Sequence, residues 1–244
     1  MFYLGEKKIY RVASDMDGTL VDSVGIHGEA NRLALEMCGN GEPFSPSEHW
    51  SRYFKNINPN GAVRDYFKNT LKERGLSIAI DEFLNVLAQT KLEMLQDVKY
   101  KPGADKTVRF MKDKGALVGL VTSASMQEVG AIAKSYDIKH SEMPFSWFDF
   151  FVTRDDVRKI KPSPEPYNKV VGADWDGTYT AGVLVMEDLM VGVNSAMAAG
   201  ISKENIVGIY DNHAKHETEK LKSSCGHFFS DHRKLLNYLE KSNS

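Results

Sequence analysis

The segment Asp15-Met16-Asp17-Gly18-Thr19 sets two carboxylates two residues apart, with a glycine and a hydroxyl behind them. It directly follows the run Ile9–Ser14, so the pair stands where an extended strand gives way to a loop. On a continuing strand residues i and i+2 share one face. Where the chain turns, both carboxylates can approach one phosphate and one cation. Two anions this close repel, and a bound cation or a proton must relieve them. A capped turn uses the same residue types, so the other segments bear on whether the pair does chemistry. Leu120-Val121-Thr122-Ser123 ends an apolar run in hydroxyls. Lys161-Pro162-Ser163-Pro164 puts a lysine before a stiff, extended lead into a helix. Val183–Glu187, followed by Asp188, ends an apolar run in an acidic pair. Alone, Thr122 reads equally as a hydroxyl satisfying a turn. Ser123 is one residue out of step with it, and Lys159 competes with Lys161.

These groups need elements to hold them. Short β-like runs recur at Ile9–Ser14, Ala116–Thr122, Phe148–Thr153, Val183–Glu187, Ile206–Tyr210 and His227–Phe229. Between several of them, Asp105–Lys114, Met126–Tyr136, Glu165–Val171 and Val191–Ala199 carry apolar residues at helical spacing. Alternating strands and helices predict an α/β fold, a Rossmann-like parallel sheet with helices on both faces. Ligands then bind at the carboxyl ends of the strands, where the candidate groups lie. The alternation lapses after Ser23. Helical patterns follow at His27–Met37, Ser47–Phe54, Ala62–Arg74 and Ile80–Leu95, separated by turn-rich breaks. The expected organisation is a core of residues 1–22 and 98–244, with a helical domain of residues 23–97 inserted after the first strand.

Asp174-Trp175-Asp176-Gly177-Thr178 repeats the spelling of the first motif. It follows the end of a helical pattern instead of a strand, and reads as a turn. His213 and His216 lie three apart on the polar stretch Asp211–Lys222, which reads as an exposed helix. His27 lies near the start of the inserted helical domain, close in sequence to the loop Asp15–Ser23, and suits a substrate contact or a capping or hinge role equally. Trp50–Arg64 mixes aromatic and basic groups that a loop over an anionic substrate would use, although a solvated helix pair has the same composition.

Charge and composition exclude several classes. Lys plus Arg is 31 against 33 Asp plus Glu, so no basic excess points to nucleic acid or an anionic membrane. No apolar run approaches the roughly 18 residues of a spanning helix, and residues 1–11 do not read as a signal peptide. Cys38 and Cys225 cannot form a disulfide framework or a thiolate zinc cage. A reducing, cytoplasmic setting is the expectation.

Four motifs in this order, Asp15–Ser23, Leu120–Ser123, Lys161–Pro164 and Val183–Asp188 with Gly192 and Ala198-Ala199-Gly200 behind it, resemble the haloacid dehalogenase superfamily. The likeness is to its capped phosphatases and β-phosphoglucomutase-like members, covers nearly the whole chain, and makes residues 23–97 the helical cap. It implies a Mg²⁺-dependent phosphatase acting on a small phosphorylated metabolite, a sugar or polyol phosphate. Asp15 would be the nucleophile that forms an aspartyl-phosphate, and Asp17 the general acid and base. Thr122 would hold a phosphoryl oxygen and Lys161 would supply positive charge. Mg²⁺ would take the Asp15 carboxylate, the Asp17 carbonyl and Asp188. Some relatives carry a second acid where this chain has Gly192, and Glu187 is its natural replacement. Leu189 stands where the family often has serine. The resemblance leaves open a β-phosphoglucomutase-like phosphoryl transfer and, in another class, a phosphate-binding module without catalysis. A phosphonatase would need a Schiff-base lysine from Lys55, Lys68, Lys72 or Lys91.

Overall fold

The computed structural model describes residues 1–39, 63–171, 177–213 and 215–244. The chain opens with an antiparallel hairpin, β1 (Phe2–Leu4) and β2 (Lys7–Ile9). Six further strands follow: β3 (Arg11–Ser14), β4 (Leu117–Val121), β5 (Phe150–Val152), β6 (Val183–Glu187), β7 (Ile206–Ile209) and β8 (His227–Phe229). They form one parallel sheet in the order β5-β4-β3-β6-β7-β8. Every apolar run read from the sequence contains one of these strands, and Val183–Glu187 and His227–Phe229 agree residue for residue. The run Ile9–Ser14 differs. Ile9 closes the hairpin, Tyr10 donates its N–H to the Gly182 carbonyl, and the sheet strand begins at Arg11.

The central strands read as continuous apolar runs because helices cover both faces. Along β6 the side chains alternate between two cores. Leu184 and Met186 pack with Val12, Val118, Leu120 and Val207, whereas Val183 and Val185 pack with Ala13, Val121, Tyr167 and Val193.

Ten α-helices are described, beginning with α1 (Val24–Met37), α2 (Val63–Glu73) and α3 (Ile80–Met94). These three pack on one another through Ala30, Ala34 and Leu35, Tyr66, Phe67 and Leu71, and Phe83 and Leu87. Spacings of three and four residues put each set on one helix face. The expected helix at Ser47–Phe54 lies outside the described residues. The chain leaves and returns through two segments paired side by side: Asp22 N–H bonds the Lys99 carbonyl at 2.9 Å and Lys101 N–H bonds the Leu20 carbonyl at 2.8 Å.

The remaining helices are α4 (Ala104–Asp113), α5 (Met126–Ala133), α6 (Tyr136–Lys139), α7 (Glu165–Val171), α8 (Met190–Ala198), α9 (Thr218–Ser224) and α10 (His232–Ser242). The single helix expected over Met126–Tyr136 is two. Ser135 takes an extended conformation and its buried hydroxyl donates to the Val98 carbonyl at 2.5 Å, which ends α5. A second correction concerns Asp211–Lys222, expected to be an exposed helix. α9 starts only at Thr218, and Asp211 is buried, ion-paired with Lys101. A buried carboxylate is retained where a cation compensates it, and the partner is 110 residues away in sequence.

Candidate active site

Parallel register brings the carboxyl ends of β4, β3 and β6 level: Ser14 aligns with Leu120 on one side and Met186 on the other. The next residues, Asp15, Thr122 and the pair Glu187–Asp188, therefore emerge along one edge of the sheet. Asp15 N–H still bonds the Met186 carbonyl at 2.9 Å, so the strand pairing itself positions the carboxylate. Lys161, from the segment that leads into α7, reaches the same place. Its ammonium donates to Asp15 Oδ1 at 2.7 Å and to Glu187 Oε1 at 2.6 Å, and its side chain is 3% exposed. Tyr167, in the first turn of α7, donates its buried hydroxyl to the same Glu187 oxygen at 2.5 Å. Lys159, the rival of Lys161, is exposed, with its backbone N–H on Glu165.

Beyond Asp15 the chain turns sharply. Gly18 adopts φ of +81°, and a Cβ there would meet Asp188 Oδ2 at 2.3 Å, so the left-handed turn and the close approach both require glycine. Thr19 donates its hydroxyl to Asp188 Oδ1 at 3.0 Å. Asp17 is turned the other way, toward the start of α1, where its Oδ1 accepts from the Ser23 hydroxyl and from His27 Nε2 at 2.9 Å. Thr122 is buried at the end of β4. Its Oγ1 accepts from Ala124 N–H at 3.0 Å, which leaves the hydroxyl proton available for a ligand, while Ser123 beside it is half-buried.

Burial and neighbouring charge set the protonation. Burial, reinforced by Asp15, Glu187 and Asp211, drives Asp188 far above the usual carboxylate range. Burial also raises Asp15 and Glu187, against the pull of Lys161. Burial works against the Lys161 ammonium, but Asp15 and Glu187 outweigh it and hold the charge. Asp17 goes the opposite way: burial pushes it up, yet His27, Ser23 and Lys91 together keep it below the usual range.

Four buried carboxyl groups, Asp15, Glu187, Asp188 and Asp211, share two ammonium groups, those of Lys161 and Lys101, so a proton or a bound cation must balance the excess, and the raised Asp188 is where a proton is held. Asp188 Oδ2 is buried without a hydrogen-bond partner among the described residues. One ligand oxygen from each of Asp15, Glu187 and Asp188 lies within 4.8 Å of the others. An all-oxygen set of this charge suits a hard divalent cation such as Mg²⁺. Gly192 has a second significance. A Cβ there would meet the Glu187 carboxyl carbon at 2.0 Å, so the Glu187 carboxylate fills the space over residue 192.

Glu128, at the start of α5, closes a capping box with Ser125 and binds Arg154 at 2.6 Å and, from α3, Lys91 at 3.3 Å. A cleft of about 1280 Å³ opens here, between Leu84, Leu87 and Leu92 on α3 and Arg154, Ile160 and Pro162 on the sheet side. Arg64, also on this cleft, pairs with Asp81. The rest of Trp50–Arg64, apart from the backbone of residue 63, lies outside the described residues, as do Lys55 and Asp174–Asp176 of the duplicated motif. The described remainder of that motif begins the short helix Gly177–Gly182, which enters β6 at its amino end, opposite Glu187 and Asp188. His213 is exposed in a turn ahead of α9.

The first motif includes Thr19 and Ser23 but its spelling assigns neither a task, and Tyr167 belongs to none of the motifs. Tyr167 reads as one more apolar residue of a helix face, and only the phenol, unpaired in any local pattern, hints at a buried polar partner.

A family model described as "Haloacid dehalogenase-like hydrolase" matches residues 12–206. The "Phosphorylated carbohydrates phosphatase" of Thermotoga maritima is 27% identical over 199 residues, covering 81% of this chain and 84% of that protein. The "(DL)-glycerol-3-phosphatase 2" of Arabidopsis thaliana is 28% identical over 221 residues, covering 85% of this chain and 82% of its own length. The crystal structure of CbbY from Rhodobacter sphaeroides in complex with phosphate superposes with a TM-score of 0.76 at 18% identity, over 95% of this chain and 99% of that one. That structure shares the sheet and its helices, and the family match spans the whole stretch from β3 to the start of β7 on which the strand-end carboxylates are carried: this chain belongs to the haloacid dehalogenase-like hydrolases.

Proposed function

We propose that the protein is a Mg²⁺-dependent phosphatase that hydrolyses a small phosphate monoester, a sugar or polyol phosphate, through an aspartyl-phosphate on Asp15. The observation that carries this reading is Lys161 bridging Asp15 and Glu187 beside an Asp188 oxygen with no hydrogen-bond partner among the described residues. A phosphate monoester is a dianion and repels a carboxylate, so positive charge must be in place before Asp15 can attack. Lys161 supplies part of it. Asp15, Asp188, the Asp17 carbonyl and, directly or through water, Glu187 would hold Mg²⁺, which supplies further charge neutralisation at the phosphoryl oxygens. Thr122 donates its hydroxyl to a phosphoryl oxygen.

Asp17 has two duties. In the resting arrangement its carboxylate accepts from Ser23 and His27 and stays ionised, the form needed to take a proton from water during hydrolysis of the acyl-phosphate. For the first step it must instead carry a proton to the leaving alkoxide; the proton it takes from water in the second step restores that form, and His27, at 2.9 Å, orients the carboxyl for both transfers. Residues 23–97 serve as a cap on a core of 1–22 and 98–244, and the substrate body occupies the cleft beside α3. A covered cleft excludes water and restricts substrate size. The relatives named for phosphorylated carbohydrates and glycerol 3-phosphate support the substrate class.

The test is a panel of phosphorylated metabolites incubated with Mg²⁺, with free phosphate and isomerised sugar phosphate measured separately. Phosphate release that EDTA stops, Mg²⁺ restores and Asp15→Asn abolishes is expected. Isomerised product without free phosphate would assign the chain to phosphoryl transfer between sugar hydroxyls. Full turnover by Asp15→Asn would remove the proposed nucleophile.

A further inference from the structure

We infer that His232 is a positioning residue for the cation site, acting through Thr19 on Asp188; the inference rests on the Mg²⁺-dependent reading above. His232 is the first residue of α10, at the far end of the chain from the nucleophile loop, and none of the motifs includes it. Its side chain is fully buried, and its Nε2 lies 2.8 Å from the Thr19 carbonyl, 213 residues away in sequence. A carbonyl oxygen only accepts, so Nε2 must carry the hydrogen. Nδ1 is then a bare acceptor, and it is buried with no partner among the described residues. Burial keeps the ring neutral, at about 4, in agreement with that tautomer. The ring thus spends its one proton on the Thr19 carbonyl.

That carbonyl belongs to the tightest turn in the site. Leu20 and Val21 N–H both bond the Met16 carbonyl, and Gly18 N–H bonds the Val21 carbonyl. Thr19 is fully buried, and His232 is the partner that fixes its carbonyl. On the other side of the same residue, the Thr19 hydroxyl donates to Asp188 Oδ1. Occupying Oδ1 in this way leaves Oδ2, the atom without a partner, for a cation. His232 is itself anchored, since its own carbonyl accepts from Thr107 Oγ1 on α4 at 3.0 Å. The path from α4 through His232 and Thr19 to Asp188 is continuous and buried. It ties the orientation of one carboxylate ligand to the C-terminal helix.

The experiment measures Mg²⁺ binding by isothermal titration calorimetry, on wild-type protein, His232→Leu, His232→Gln and Thr19→Val, with circular dichroism confirming that each is folded. Outer partners of metal ligands are typically worth about 10–100-fold in metal affinity. His232→Leu should weaken Mg²⁺ binding by that factor. His232→Gln, whose amide nitrogen can reach the position of Nε2, should recover most of it. Thr19→Val should lose a comparable factor, and the Leu–Val double variant little more than either single one, because both cut the same path. A folded His232→Leu that binds Mg²⁺ like wild type overturns the inference, as does a Gln variant no better than Leu. If the Leu variant does not fold, Gln against the shorter Asn decides: equal affinities refute the role, and tighter binding by Gln supports it. Wild-type protein that binds no Mg²⁺ would instead overturn the functional reading on which this one stands.

Discussion

Lys161→Met in metal-free buffer separates what Lys161 does for the fold from what it does for the reaction. The wild-type ammonium is almost completely buried and donates to both Asp15 and Glu187. Methionine keeps the length of the stem but removes the charge, so two buried carboxylates are left facing each other across the vacated position. Removing one partner of a buried ion pair costs about 3–5 kcal/mol, because the remaining charge keeps its desolvation penalty without its compensation. In a chain of this size each kcal/mol lowers Tm by about 2–4 °C, so the expected drop is roughly 6–20 °C. Glu187→Gln on the Lys161→Met background removes one of the orphaned anions while leaving an amide to accept from Tyr167, and should restore half or more of the lost stability. It should restore none of the phosphatase activity, since the Lys161 ammonium beside Asp15 is still missing. Thermal unfolding by circular dichroism and phosphate release, measured on the wild type, both single variants and the double, complete the cycle. A Lys161→Met protein that melts with the wild type, or a double variant less stable than Lys161→Met, would refute the electrostatic account of this site.

Asp17→Asn keeps the backbone carbonyl at residue 17 but loses the proton carrier. It should therefore impair an alkyl phosphate by about 10²–10⁴-fold more than a nitrophenyl phosphate, whose leaving group needs no proton. A burst of nitrophenol followed by slow turnover marks accumulation of the phosphoenzyme, and equal losses with both esters would assign Asp17 elsewhere. Gly192→Ala places a methyl group on the Glu187 carboxyl. It should displace that carboxylate from Lys161 and Tyr167 and lower both Tm and activity, whereas Gly130→Ala inside α5, where a Cβ meets nothing within 4 Å, should leave activity unchanged and raise Tm slightly, by the roughly 0.5–1 kcal/mol that a helical glycine costs. His232 stays neutral in the folded protein down to about 4, whereas an unfolded histidine takes up its proton near the ordinary value of 6.5. The unfolded state therefore binds more protons between those limits, and stability is full above pH 6.5 and falls as the pH drops toward 4, by about 3 kcal/mol in all. Urea denaturation across that range should show a shallower fall for His232→Gln, and an unchanged slope would contradict the burial argument.

The acidic pair after β3, the hydroxyl ending β4, the lysine before α7 and the acids ending β6 were all legible in the sequence, because each is a local pattern. A short continuous apolar run that stops at a polar residue encodes a strand end, and parallel strands put such ends on one side. The same locality explains how the sheet strands could be read one by one. The hairpin Phe2–Ile9 offers no such run, since Glu6, Lys7 and Lys8 interrupt its apolar residues and each of its strands is only three residues long. What the tertiary structure decided is which ends are neighbours and which polar groups they meet. The order β5-β4-β3-β6-β7-β8 sets β3 between strands that begin more than 100 and 170 residues later, and that adjacency brings Lys161 to Asp15. It also buries Asp211, which sequence reading placed on an exposed helix, and gives it Lys101; and it delivers Tyr167 to Glu187 and His232 to Thr19. None of these pairings leaves a trace in hydrophobic periodicity, which records how a side chain faces its own sheet or helix. A buried charge or hydroxyl is stabilised only by a partner at hydrogen-bonding distance, and that distance exists only once the sheet has assembled.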